Sequence, residues 1–160
     1  MVKAYRKCAG IIVFNKFKKV LVCARNDAKS FNWQFPQGGI EDNEDYCLAA
    51  LRELREETSI VSVQPVKTLD RPLRYDFPLD VINKSKGIGK QYAGQDVFWS
   101  LFYFLGEDNE IVLETKEPEF KAFEWVEPIE AVNRIVDFKK DVYKKALNIL
   151  EPLIENYKID

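Results

Sequence analysis

Residues 38–60 of this chain read GGIEDNEDYCLAALRELREETSI. Placing successive side chains about 100° apart, as in an α-helix, separates the later part of this stretch into two faces. One face is an apolar stripe that we expect to pack on a core, and it contains Cys47, Ala50, Leu51, Leu54 and Thr58. The neighbouring face carries Glu53, Glu56 and Glu57, so three carboxylates share about one turn of helix.

These carboxylates need a physical explanation, because like charges in one turn repel by about 0.2–0.5 kcal/mol per neighbouring pair on an open helix. In a pocket the cost rises, since the low dielectric strengthens the repulsion and each charge loses water. A divalent cation would remove this cost, and carboxylates suit hard ions such as magnesium or manganese. The alternative is a solvated helix face on which Arg52 and Glu56 form an ordinary i,i+4 pair. The helix alone leaves both interpretations open.

The residues before and after the helix favour the metal site. Fixed residue types occur at fixed offsets: Gly38, five residues, Glu44, seven residues, Arg52-Glu53-Leu54, one residue, Glu56-Glu57, one residue, Ser59-Ile60. This spacing resembles the Nudix box, the loop–helix–loop signature of enzymes that hydrolyse a nucleoside diphosphate linked to another group. The one departure is Ser59, where the family has glycine. Either Ser59 takes the left-handed conformation, at a cost of about 1–2 kcal/mol, or the helix ends differently.

The composition restricts the available chemistry. The 160 residues suffice for a substantial core, and we expect a single domain over 1–160. The net charge of −2 argues against a general nucleic-acid-binding surface. The chain contains no histidine, which excludes Ser–His–Asp and Cys–His nucleophile pairs and a histidine-ligated zinc. Catalysis must therefore use carboxylates, lysine, arginine, hydroxyl groups and a hard metal.

The sequence also indicates a compartment. No apolar run approaches the roughly 20 residues that span a bilayer, and the N-terminus has no secretory or transit pattern. Cys8, Cys23 and Cys47 lie in apolar segments without Cys-x-x-Cys spacing, so we expect free, packed thiols in a reducing cytosol. We therefore expect a cytoplasmic protein without a membrane partner. The sequence does not predict whether the protein is a monomer or an oligomer.

Strands and a helical C-terminus surround the central stretch. Strands are predicted over 8–14, 20–24, 60–68, 97–105, 111–113 and 123–126, and residues 73–78 are predicted to form a short strand or a turn. Helices are predicted to begin after a cap at Asp42 or Asn43, at Pro128 through Ile135, and over 139–157, with a polar loop over 79–94. The last helix has an apolar stripe that we expect in the core: Val142, Tyr143, Ala146, Leu147, Leu150, Leu153, Ile154 and Tyr157.

This order of elements predicts a mixed α+β sandwich. The Nudix resemblance implies more, namely an α/β/α sandwich with a mixed β-sheet and the loop–helix–loop motif at the active site. The resemblance covers nearly the whole chain through further segments: Trp33–Ile40, Tyr75–Pro78, Gly94-Gln95, Pro118–Phe120 and Val136–Tyr143. These segments are similar to the branch that contains asymmetric diadenosine tetraphosphate hydrolases and bacterial RNA 5′-pyrophosphohydrolases.

The resemblance assigns roles to individual residues. Magnesium or manganese would be held by the Gly38 carbonyl, Glu53, Glu56, Glu57 and Glu119. The general base would be Glu57 or Glu119, and Glu44 would pair with Arg52 to brace the loop on the helix. Substrate would be bound by Arg6, Arg25, Gln37, Tyr75, Lys90, Gln95, Val136, Phe138 and Lys139, with Tyr75 and Phe138 stacking on bases and Arg6 and Lys90 meeting phosphates. Phe138 and Tyr75 could instead be core aromatics.

Three functions follow from these roles. The first is a metal-dependent hydrolase that cleaves diadenosine tetraphosphate asymmetrically to AMP and ATP. The alternative is an RNA 5′-pyrophosphohydrolase that removes pyrophosphate from triphosphorylated mRNA ends, and the third is a non-catalytic nucleotide-binding module. One departure bears on the substrate: the branch usually has a lysine where this chain has Phe98, so Lys86 or Lys90 would have to supply that phosphate contact.

Overall fold

The computed structural model describes residues 3–26, 32–83, 87 and 91–159. The strands are β1 (Ala4–Phe14), β2 (Val20–Arg25), β3 (Trp33–Gln34), β4 (Gln37–Gly39), β5 (Val63–Thr68), β6 (Leu73–Asp76), β7 (Tyr92–Phe104) and β8 (Phe120–Val126). The helices are α1 (Tyr46–Thr58), α2 (Leu79–Ile82), α3 (Pro128–Arg134) and α4 (Asp137–Glu155). None of the helices in this part of the chain is long and apolar enough to cross a membrane.

The strands form one mixed sheet, as predicted. Its order is β3-β2-β1-β7-β5, with β4 paired to β1, β6 paired to β7 and β8 paired to β2. The two long central strands, β1 and β7, run parallel, and the remaining pairs are antiparallel. Parallel pairing at the centre explains the unbroken apolar run over 8–14, since both faces of these strands are covered.

Alternate side chains of β1 enter two separate cores. Cys8, Ile12 and Phe14 pack with the aromatic and aliphatic residues of α3 and α4 on one face of the sheet. Ala9, Ile11 and Val13 pack with α1 on the other face. The result is a sheet between helical layers, which confirms the predicted α/β/α sandwich. The apolar stripe of α1 thereby packs against the sheet, and its acidic face is not part of this packing surface.

The structure corrects several local predictions. Residues 111–113 form no strand, because a 3₁₀ turn at Asp108–Glu110 ends in a hydrogen bond from the Ile111 N–H to the Asp108 carbonyl at 3.0 Å. The predicted polar loop over 79–94 contains the short helix α2 and the first residues of β7. Leu153, predicted in the core stripe of α4, is 38% exposed and lies outside it, whereas the neighbouring predicted residues Leu150 and Ile154 are buried.

The two ends of α1 differ from the simplest expectation. The cap is Asp45, and neither predicted candidate fills that position: the Asp45 carboxylate accepts the Leu48 N–H at 3.1 Å. Asn43 lies in a turn with a positive φ of 63°. At the other end Ser59 adopts the left-handed conformation at φ 67°, and its hydroxyl donates to the Val112 carbonyl at 2.9 Å. The serine therefore accepts the conformation that the family glycine provides, and the extra hydrogen bond offsets part of the strain.

Candidate active site

The guanidinium of Arg52 organises the acidic face of α1. Its Nε and Nη2 donate to the two carboxylate oxygens of Glu44 at 2.8 and 2.9 Å, and Nη2 also donates to the Gly39 carbonyl at 2.9 Å. Its Nη1 donates to Glu53 at 2.9 Å and to Glu56 at 3.3 Å. The Arg52 hydrogen bonds lower the pKa of Glu44 to about 2, so this carboxylate stays charged. Arg52 and Glu44 therefore brace the loop on the helix, as the resemblance implies.

Two adjacent glycines let this loop pass close to charged side chains. A Cβ on Gly38 would lie 2.0 Å from the carboxyl carbon of Glu53. A Cβ on Gly39 would lie 2.4 Å from Nη2 of Arg6. Real Cβ atoms essentially never approach this closely, so any larger residue would have to displace a charged group. The glycine pair thus positions a carboxylate on one side and a guanidinium on the other.

A cavity of about 1160 Å³ lies between α1, the sheet and the start of α4. Most of the residues predicted for the site line it: Arg6, Arg25, Gln37, Gly38, Glu53, Glu56, Glu57, Tyr75, Gln95, Glu119, Val136, Phe138 and Lys139. Glu44 and Arg52 brace the loop and do not line the cavity. Lys90 and Lys86 lie outside the described residues. We call Glu53, Glu56, Glu57 and Glu119 the acidic wall, and Arg6, Arg25 and Lys139 the cationic wall.

Glu57 is the most unusual member of the acidic wall. Its side chain is buried, with 8% of the residue exposed, and its Oε2 has no hydrogen-bond partner among the described residues. Burial raises the pKa of Glu57 to about 9, with further repulsion from Glu53 and Glu119 and partial relief from the Gln37 N–H. Burial likewise raises the pKa of Glu53. An orphaned carboxylate oxygen facing other carboxylates is a position where a cation would supply the missing partner.

The carboxylate oxygens of the acidic wall are ligands that suit a hard divalent cation. The carboxylates do not, however, converge on a single position that such a cation could occupy. Among the described residues, no three acidic or cysteine side chains converge as a ready metal-binding group. Part of the reason is Arg52, which neutralises Glu53 and Glu56 by holding one oxygen of each. Each of those carboxylates has a second oxygen that makes no hydrogen bond to Arg52.

Lys139 is the buried member of the cationic wall. Only 9% of the residue is exposed, and burial together with the charge of Arg25 lowers the pKa of Lys139 to about 8. Its Nζ lies 5.8 Å from the ring centroid of Tyr75 and 6.0 Å from that of Phe138. An anion entering here would relieve the repulsion between Lys139 and Arg25, so this wall is suited to phosphate or to an electron-rich base.

Tyr75 and Phe98 have surroundings that the sequence did not reveal. Tyr75 is buried, and its hydroxyl donates to Oε1 of Gln95 at 2.7 Å, so its ring offers little surface for stacking on a base. Phe98 stacks on Tyr46 of α1 at a centroid distance of 3.9 Å. It lies on the opposite side of β7 from Gln95 and does not line the cavity.

The cavity is also lined by residues outside the predicted site, among them Lys116, Glu117 and Phe77. Lys116 and Glu117 line the cavity next to Glu119, and Phe77 lines it beside Tyr75. The sequence could have indicated them through their positions, since each lies within three residues of a predicted site residue. A hydrogen bond of 2.8 Å from the Asn26 N–H to the Glu119 carbonyl holds the loop of Lys116 and Glu117 beside β2.

Comparison with known proteins gives the same assignment as the site. The NUDIX domain family matches residues 4–146. A protein of Pelagibacter ubique named RNA pyrophosphohydrolase is 44% identical over 142 residues, covering 87% of each chain. One of the same name from Dinoroseobacter shibae is 43% identical over 148 residues, covering 90% of each.

Solved structures agree at the level of the fold. A C. elegans Ap4A hydrolase superposes with a TM-score of 0.62 at 20% identity, covering 92% of this chain and 98% of that one. The Nudix-type spacing in 38–60, the α/β/α sandwich and the family match therefore lead to one conclusion. This chain belongs to the Nudix family and is a Nudix pyrophosphohydrolase.

Proposed function

We propose that this enzyme is an RNA 5′-pyrophosphohydrolase, which converts a triphosphorylated RNA end into a monophosphorylated end and pyrophosphate. The observation that carries the proposal is the relatedness to proteins named RNA pyrophosphohydrolase, at 44% and 43% identity over nearly the full length of both chains. This reverses the order of the two hydrolases predicted from sequence. The Ap4A hydrolase neighbour, at 20% identity, supports the fold alone.

In this proposal the acidic wall performs the chemistry. Glu53, Glu56, Glu57, Glu119 and the Gly38 carbonyl would hold Mg²⁺ or Mn²⁺, as the orphaned Oε2 of Glu57 suggests. A divalent ion bound there would neutralise polyphosphate charge and lower the pKa of water. Glu57 or Glu119 accepts the proton of the water that attacks phosphorus in line. Arg52 keeps Glu53 and Glu56 in place throughout.

The cationic wall binds the substrate. Arg6, Arg25 and Lys139 line the same cavity as Glu53 and Glu56, where they can neutralise a triphosphate. Phe138 and Val136 line the cavity beside Lys139 and give an apolar surface for a base. Lys139, with its lowered pKa, could also hydrogen-bond a base carbonyl. The three free cysteines are consistent with a reducing compartment such as the cytosol.

A direct substrate comparison tests this function. Equal concentrations of 5′-triphosphorylated RNA and diadenosine tetraphosphate are supplied in magnesium, and kcat/KM is measured for each. We expect a higher kcat/KM for the RNA, and oxygen from labelled water in only one of its two products. Faster turnover of diadenosine tetraphosphate would overturn the RNA assignment in favour of dinucleoside polyphosphates. Binding of both substrates without hydrolysis of either would support a nucleotide-binding module instead.

A further inference from the structure

The carboxamide of Gln95, a residue of β7 that lines the cavity, is held in one orientation. The residue is 3% exposed, and its Oε1 accepts hydrogen bonds from three side chains. These are the Tyr75 hydroxyl at 2.7 Å, the Cys8 thiol at 3.2 Å and Nε2 of Gln37 at 3.4 Å. An amide oxygen has two lone pairs, so three converging donors leave it no capacity to accept from a ligand.

The identity of the donors fixes which end of the carboxamide faces them. Gln37 presents its NH₂ group, and the Cys8 thiol stays protonated because burial raises its pKa to about 12. Turning the Gln95 amide over would place its own NH₂ against the NH₂ of Gln37, which can only donate, whereas the Tyr75 hydroxyl and the Cys8 thiol can donate or accept. An unsatisfied buried donor costs about 1–3 kcal/mol, so the observed orientation is strongly preferred.

The other end of the carboxamide faces the cavity without a partner. In the part of the chain that the structure describes, Nε2 of Gln95 donates to no group, and Gln95 lines the cavity. Gln95 is the register partner of Arg6 in the parallel β1–β7 pair, so the two side chains project from the same face of the sheet. A guanidinium and an amide NH₂ side by side form a donor pair suited to phosphoryl oxygens.

We propose that Tyr75 is a positioning residue that, together with Cys8, holds the carboxamide of Gln95 in place, so that its NH₂ group donates a hydrogen bond to a phosphoryl oxygen of the substrate. Tyr75 then contributes through its hydroxyl group and through Gln95, and not through stacking of its ring. The inference rests on the proposed function only for the identity of the polyphosphate substrate. It would hold equally for a dinucleoside polyphosphate, because the phosphoryl acceptor is the same.

A double-mutant cycle tests the proposal. The variants are Tyr75→Phe, Gln95→Met and both together, and kcat and KM for 5′-triphosphorylated RNA are measured separately. Tyr75→Phe should raise KM about threefold to tenfold with kcat nearly unchanged, the result expected when a ground-state binding contact is weakened. Gln95→Met should raise KM about tenfold or more, because the donor itself is lost. Adding Tyr75→Phe to Gln95→Met should change nothing further, since Tyr75 acts through Gln95.

Two further variants separate this role from a structural one. Tyr103→Phe removes a hydroxyl on the same strand β7 from a ring that packs on Phe14 and Tyr157, and it should leave KM unchanged. Gln95→Glu keeps an acceptor for Tyr75 and Cys8 and replaces the NH₂ group by a carboxyl oxygen, which can donate only while it is protonated, so KM should rise as pH increases and the new carboxyl ionises. Thermal unfolding of every variant identifies any loss of folded protein.

Three results would overturn the positioning role. These are multiplicative effects of Tyr75→Phe and Gln95→Met, a KM of folded Gln95→Glu that stays normal at every pH, and a Tyr75→Phe variant that matches the wild-type KM. The proposed function is judged separately, from the wild-type rate on RNA. If the wild type hydrolyses only diadenosine tetraphosphate, the RNA assignment falls, and the same cycle is then measured with that substrate.

Discussion

The acidic wall and the cationic wall line one cavity but are built in opposite ways. Three members of the acidic wall come from a single turn of α1, braced by one guanidinium, Arg52. The cationic wall is assembled from β1, β2 and α4, which are distant in sequence. Each wall has one buried group whose pKa is shifted in the direction that favours its uncharged form. The pKa of Glu57 is raised to about 9, and that of Lys139 is lowered to about 8. Each wall is therefore unfavourable alone and is relieved by a ligand of opposite charge, a cation on one side and a polyphosphate on the other.

This difference predicts separable effects on catalysis and on binding. Changes in the acidic wall should lower kcat, because they remove charge stabilisation in the transition state. Changes in the cationic wall should mainly raise KM.

The largest effect is expected for Glu56→Gln. Loss of one carboxylate from the acidic wall should lower kcat about a thousandfold, since stabilisation by a metal ion amounts to several kcal/mol. The matched control is Glu130→Gln, which also removes a helical carboxylate that pairs with an arginine four residues away. The control should keep wild-type kcat and a similar melting temperature, both in magnesium. Near-normal turnover by Glu56→Gln would remove this residue from the site.

The glycine pair offers a comparison of the two walls within one loop. Gly38→Ala directs a methyl group at the Glu53 carboxylate, and we expect kcat to fall about a hundredfold from the misplaced group. Gly39→Ala directs it at the Arg6 guanidinium, and we expect KM to rise about tenfold with a smaller change in kcat. Steady-state kinetics with triphosphorylated RNA measures both. If the two variants changed kcat and KM in the same way, the assignment of catalysis to the acidic wall and of binding to the cationic wall would be contradicted.

When divalent ions are removed, the ionisation of Glu57 at high pH should lower the free energy of unfolding. Its pKa in the folded protein is about 9, against an ordinary 4.5, so between these values the folded state binds more protons than the unfolded state. The free energy of unfolding in EDTA should therefore fall as pH rises through this window. Glu57→Gln has no such charge and should exceed the wild type by about 1–3 kcal/mol at pH 9, while having no activity. Parallel pH dependence for the two proteins in urea unfolding would show that Glu57 is not destabilising.

The smallest effect concerns Lys139 and pH. Since its pKa is lowered to about 8, the ammonium loses its charge as pH rises through that value, and KM should increase severalfold. Lys139→Arg keeps a positive charge throughout this range and should remove that part of the pH dependence. The measurement is KM for triphosphorylated RNA between pH 7 and pH 9. A pH dependence retained in Lys139→Arg would assign the titration to another group.

The two walls also differ in how far the sequence could predict them. The acidic wall lies almost entirely within 38–60, where helical periodicity alone places Glu53, Glu56 and Glu57 on one face. The burial of Glu57 was not visible there, because it depends on where α1 packs against the sheet. Arg6 and Gln95 are 89 positions apart, and only the parallel register of β1 and β7 makes them neighbours. Resemblance to a family could propose them, whereas local pattern could not.

Element boundaries show the same limit in physical terms. The apolar run over 8–14 located β1, but its polar first residues became strand only because β7 pairs with them. Asp45 caps α1, two residues after the predicted candidate Asn43, which lies in a turn with a positive φ of 63°. Tyr75 was expected to stack on a base, and its hydrogen bond to Gln95 became apparent only in the folded sheet.

We expect the buried, protonated Glu57 to become a carboxylate when a divalent cation binds to the acidic wall. Calorimetric titration of the protein with Mn²⁺ at neutral pH, in two buffers of different ionisation enthalpy, measures the protons released on binding. We predict release of about one proton per protein molecule in the wild type, because the ligand must be deprotonated, and loss of that release in Glu57→Gln. Binding without proton release, or release unchanged in Glu57→Gln, would contradict the account.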